Sequence, residues 1–295
     1  MKKNYIQIFL ALCCLFALSI EARDTESSEP YISGDTFRAH CDFIFDETGQ
    51  SLNPFKVKNG NTIFVKTDYL SAFFSKIHPR IKKNYILITH NSDRAVTEKF
   101  SQFLKDTKII AWFAQNVENY SHPKLHPIPI GLANKYWSHG NINLINEMLQ
   151  ILPNFKKDIL LYMNFLVATH INERSIVANM FKDEPYCVLE SPKEYGAYLR
   201  DLASSKFVLS PRGNGLDCHR TWESLLMGAI PIVKTSSLDP LYEELPVLIV
   251  RDWNEINYEF LLKKYEEINS KNYNFKKVYF EYWLKFIESY KSKKI

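Results

Sequence analysis

The chain reads as an α/β protein of parallel sheets, long enough for two domains. Residues 207–233, FVLSPRGNGLDCHRTWESLLMGAIPIV, run strand, loop, helix, turn, strand, which is one βαβ unit. Short apolar runs such as TIFVK, YILIT and KIIAWF alternate with amphipathic stretches. A length of 295 residues fits two domains of modest size.

In the central unit, Phe207, Val208 and Leu209 are apolar enough for one buried strand. The breaker cluster 210–215, SPRGNG, reads as a loop. Asp217 is placed to cap the helix that follows, and Gly228 to end it before the strand at 229–233. The polar residues suit an anion. Gly213 and Gly215 let the backbone approach a ligand closely. The start of the helix presents N–H groups and the positive end of its dipole. Arg212 and Arg220 supply two guanidinium forks matched to phosphate oxygens. His219, Arg220 and Glu223 share one helix face, where Glu223 can accept from a pair of sugar hydroxyls. An ordinary Arg220–Glu223 salt bridge would contribute only about 0.3–0.5 kcal/mol. The density of Arg, Gly, Asn, Asp, His and Glu in a dozen positions asks for more than a turn.

The stretch SPRGNGLDCHRTWESLLMGAIPIV, followed by LDPLYEELPVLIVRDWNEI, resembles the C-terminal signature of exostosin-like glycosyltransferases over residues 200–256. The first half is similar to the same group more weakly, through ITHNSD (88–93), FAQN (113–116) and HPIPIG (126–131). The resemblance implies two Rossmann-like domains facing each other across a cleft, the arrangement called GT-B. It implies an inverting transfer of sugar from a nucleotide diphosphate donor to a glycan hydroxyl. The nucleotide-sugar is a co-substrate, with no other cofactor. Donor binding would fall to Arg212, Gly213, Asn214, Gly215, His219, Arg220 and Glu223. The alternative is a non-catalytic, glycan-binding member of the same fold. Many GT-B proteins carry a second glutamate eight residues before the ribose-binding one; here that position is Gly215.

Other motifs narrow the chemistry. The sequence has no D-x-D, C-x-x-C or H-E-x-x-H, so no metal site is expected. Arginines, glycine N–H groups and a helix dipole would stabilise a departing diphosphate instead. A formal net charge of +4 without a long basic run does not imply nucleic-acid binding. Of 5 cysteines, Cys13 and Cys14 lie in the first segment, and the three left over cannot all pair. Asn119-Tyr120-Ser121 is an N-glycosylation sequon.

In chain order, residues 1–22 read as a signal peptide or N-terminal anchor. Lys2 and Lys3 precede an apolar run shorter than a comfortable bilayer span. The expected location is the secretory pathway or an exported compartment, with membrane attachment through this segment as the other reading. Residues 23–153 form the N-terminal, acceptor-side domain. Its strands are expected at 62–66, 85–89 and 108–113, its helices at 94–105 and 143–152. The prolines at 127 and 129 confine 126–130 to a sheet edge or extended loop. Asp35, His40 and Asp42 read as loop structure. Ligands of open α/β sheets sit beyond the carboxyl ends of strands. That points to His90, Asn91 and Asp93 after one strand and Gln115 and Asn116 after the next. Asn91 and Asn116 are the acceptor-side candidates. Asp93 and His90 are the candidate bases for taking the acceptor proton, although Asp93 also stands where it would cap the 94–105 helix. Residues 154–270 form the nucleotide-sugar domain. In residues 271–295, apolar positions at helical spacing (Val278, Tyr282, Trp283, Phe286) give a packing helix that returns to the first domain.

Overall fold

The computed structural model describes residues 26–48 and 52–291. The leader expected at 1–22 lies outside them, and among the described residues no helix is long and apolar enough to cross a membrane. Two parallel five-stranded sheets form the frame. The first contains β1 (Phe43–Phe45), β2 (Asn61–Lys66), β3 (Tyr85–His90), β4 (Ile109–Ala114) and β5 (Leu125–Pro127), in that spatial order. The proline-bearing β5 is the edge strand. The second contains β6 (Ile159–Met163), β7 (Cys187–Leu189), β8 (Ser205–Leu209), β9 (Ile230–Lys234) and β10 (Leu248–Val250), in the order β10-β9-β8-β6-β7. The two α/β units meet at a cleft, the GT-B arrangement.

The two strand orders have different consequences. In the second sheet the chain reverses direction between β6 and β8, which opens a crevice at their carboxyl ends. The first sheet always steps the same way, so right-handed crossovers place its connections on one face. Neighbouring residues of β4 show the two faces. Trp112 meets Phe74 and Phe100 of the connecting segments, while Phe113 meets Phe286 and Tyr290 near the chain's end. The bare face is thus covered by the helix Phe280–Glu288. Phe280 packs edge-on to Phe37 at 5.2 Å, and its backbone N–H donates to the Pro30 carbonyl, tying the last helix to the start of the described chain.

Local structure departs from expectation in three places. The 94–105 helix shrinks to the turn Glu98–Phe100 and the helix Ser101–Leu104. Residues before it stay extended because Val96 exchanges backbone hydrogen bonds with Asn116 and Glu118, a tertiary bridge that wins over local helix propensity. Asp93 therefore caps no helix. The stretch around Asp35, read as loop, is the helix Gly34–Ala39, capped by Ser33 and buried along most of its length. The C-terminal segment breaks at Tyr279 into the turn Phe275–Val278 and the final helix.

Candidate functional site

The β8–β9 unit sits at the crevice of the second sheet. The helix His219–Leu226 follows the SPRGNG loop, and Gly228, with φ of +65°, turns the chain into β9. Asp217 does not cap this helix. The N-cap is Cys218, and no side chain caps it, so the dipole end stays open. The Asp217 carboxylate instead accepts from the backbone N–H of Ile130 in the first domain (2.8 Å), from Trp222 Nε1 (2.9 Å) and from the Cys218 N–H (2.9 Å). Its burial pushes the carboxyl up to about 6, although these donors pull the other way. The loop is held from beneath by Arg174, whose guanidinium donates to the carbonyls of Leu166, Pro211 and Arg212 and to the Thr169 hydroxyl.

A cavity of about 920 Å³ opens over this unit, bordered by Asp93, Asn164, Gly213, Asn214, Gly215, His219, Arg220 and Glu223 among others. Arg220 is its sharpest feature. Its Nε and Nη1 are buried with no hydrogen-bond partner, while its guanidinium lies 5.6 Å from the Phe165 ring centre. Buried guanidinium nitrogens without a partner are costly, and an anion in the cavity would relieve them. One turn on, Glu223 is 4% exposed and accepts from the hydroxyls of Tyr195 (3.2 Å) and Tyr198 (3.1 Å). Burial pushes its carboxyl up to about 7, with Arg220 and the two tyrosines opposing.

A second cavity, of about 470 Å³, lies on the first domain at the ends of β3 and β4, bordered by His90, Asn91, Asp93 and Gln115. Asp93, Ile130 and His219 border both cavities, so the two meet there. His219 is fixed across the domain boundary by a 2.7 Å contact from Nδ1 to the Gly131 carbonyl. A carbonyl only accepts, so Nδ1 carries the proton and Nε2 keeps a lone pair. Burial holds the ring neutral, with its pKa down to about 4. Gly131 makes the approach possible: its φ is +67°, and a Cβ there would lie 2.3 Å from the Ile32 carbonyl oxygen.

The remaining expected site residues divide. Gly213, Asn214 and Gly215 border the large cavity, and Asn214 reaches the Asp93 carboxylate at 3.3 Å. A side chain at Gly215 would strike Asn116, since a Cβ there would lie 2.6 Å from its Nδ2. Arg212 points elsewhere. It pairs with Glu118 at 2.6 Å and borders a third cavity. Asn116 is wholly buried and accepts from the Asp217 N–H, so it latches the domains together. His90 has no nitrogen to spare: Nε2 contacts the Pro129 carbonyl at 3.0 Å and Nδ1 accepts from the Asn91 N–H at 2.7 Å. It does not offer a base. Sequence reasoning missed Arg174, Tyr195 and Tyr198, whose types at helical spacing look like ordinary packing. It also missed Tyr136 and Trp137, which carry no motif.

Two parallel α/β units with an arginine-bearing cleft between them define a two-domain protein of the GT-B fold class. The chain belongs to the family of the RXYLT1 C-terminal domain, whose model matches residues 146–295. No curated protein sequence matches. Among solved structures the chain is similar to the pneumococcal O-GlcNAc transferase GtfA in complex with UDP and GlcNAc. The TM-score is 0.39 and the identity 11%, over 81% of this chain and 58% of that one, so the chain spans little over half of GtfA. It is also similar to the catalytic domain of starch synthase IV from Arabidopsis thaliana bound to ADP and acarbose, with TM-score 0.33 and 10% identity, over 80% of this chain and 70% of that one.

Proposed function

We propose that this protein is a glycosyltransferase that moves a sugar from a nucleotide diphosphate donor to a glycan hydroxyl, with inversion at the anomeric carbon. The observation that carries the reading is Arg220: two buried guanidinium nitrogens without partners, on the large cavity and beside the open end of a helix. Family membership supports it, as does the long motif at 200–256 that resembles exostosin-like enzymes.

In this reading Arg220 and the helix N-terminus take the diphosphate and stabilise its charge as it departs, without a metal. Glu223, set between Tyr195 and Tyr198, faces the donor's ribose hydroxyls. Arg174 is a positioning residue: it shapes the loop and spends its donors on carbonyls. Neutral His219, with its lone pair on Nε2, takes the acceptor proton where the cavities meet, and Asp93 stands beside it to stabilise the imidazolium that forms. The protein works in an exported or secretory compartment, delivered by the segment at 1–22. Mass spectrometry of products from a donor-by-acceptor array tests the activity. Transfer of one sugar residue with inverted configuration is expected. An array with neither transfer nor donor hydrolysis would favour the non-catalytic, glycan-binding reading.

A further inference from the structure

We propose that the second cavity, with Trp137 and Tyr136 on its rim, binds an uncharged saccharide ring of the acceptor. Trp137 is 50% exposed and Tyr136 37%, and both border the cavity. Their ring centres are 5.2 Å apart, and Trp137 stacks on His139 at 5.9 Å with planes 24° apart. The loop that displays them is fixed. The Trp137 N–H donates to the Asn134 carbonyl, and Gly140 packs so closely that a Cβ would lie 2.1 Å from that same oxygen. The indole is held towards solvent, where it loses the burial that usually stabilises an aromatic side chain.

The floor is polar and equally fixed. Asn91 donates to Asp35 (2.9 Å), Asn134 donates to Asn91 (3.0 Å), and Asn134 accepts from the Asp35 N–H (2.9 Å). Asn91 holds a positive φ of 59° within this ladder. Gln115 is 2% exposed, borders the cavity, and leaves its Oε1 buried without a partner; Asp35 Oδ2, beneath the ladder, is also without one. Orphaned acceptors ask for donors, and sugar hydroxyls are donors. The cations on the rim are already engaged: Lys66 by Glu47 and Arg94 by Asp68. A phosphate or carboxylate therefore finds less here than a neutral ring does. One apolar face of a pyranose would lie on the indole, with its hydroxyls turned to Gln115. The cavity volume, about 470 Å³, lies within the range of small-molecule sites. A ring seated there lies against Asp93 and His219, which border the donor cavity as well.

As an acceptor site this rests on the transfer reading above, but ring binding is measured without any turnover. A printed array of neutral mono- to tetrasaccharides is probed with the wild type, Trp137→Ala, Trp137→Phe and, as a control, Phe55→Ala, whose ring is exposed away from this cavity. The expected result is binding of a subset of saccharides, lost at least tenfold in Trp137→Ala, kept largely in Trp137→Phe and unchanged in Phe55→Ala. Equal binding by wild type and Trp137→Ala, or no saccharide bound by the wild type, overturns the proposal. Calorimetry of nucleotide-sugar binding to Trp137→Ala separates the two readings: this site predicts donor affinity equal to wild type, whatever the array shows.

Discussion

At the residue scale, the site is organised by charges that the fold leaves under-served. Glu223 is the clearest to test. Its carboxyl is raised to about 7 in the folded chain by burial. Between the ordinary carboxylate range and that value the folded state binds more protons than the unfolded, so stability falls as pH rises through the window and levels off above it. Glu223→Gln keeps a neutral, hydrogen-bonding side chain and removes the titration. The variant should melt with the wild type near pH 4.5 and exceed it by about 1–3 kcal/mol at pH 8, since each tenfold change in proton affinity is worth about 1.36 kcal/mol. Melts across that range check it, and a gap that is flat with pH would show that Glu223 does not titrate as described. The chemistry-bearing types were legible here: Arg220, His219 and Glu223 come together in the cavity because helical spacing alone sets their common face. The reach of Arg212 was not legible. Glu118, its partner, is 94 positions away in sequence and arrives only when the domains meet.

At the scale of elements, the β8–loop–helix–β9 unit was readable from its breakers and apolar runs, and it forms nearly where they place it. Asp217 shows the limit of local reading. Its position is right for a cap, yet Ile130, Trp222 and Cys218 offer it donors and the helix end is left open. Asp217→Ala would strand the Ile130 N–H and the Trp222 indole N–H in a buried place, at about 1–3 kcal/mol each. Loss of about 3 kcal/mol or more in denaturant unfolding is expected, with faster hydrogen exchange at Ile130 and at the Trp222 indole. A change below about 1 kcal/mol would contradict the anchor. The shortened helix at 94–105 teaches the same lesson, because the bridge from Val96 to Val117 joins two segments outside the strands that no window of local sequence contains.

At the scale of the molecule, a sheet that always steps one way needs a cover for its second face, and the chain's own end provides it. Phe280, buried against Phe37 and His40, is the keystone of that cover. Phe280→Ala should cost about 3–5 kcal/mol, seen as a lower melting temperature. An unchanged melt would mean that the last helix adds little to the first domain. That the two lobes form a donor cleft is the central claim, and calorimetry of a nucleotide-sugar panel tests it most directly. The wild type should bind at least one member, and Arg220→Ala, with an unchanged melting profile, should lose that binding at least tenfold. Equal affinity in the two proteins would contradict the account.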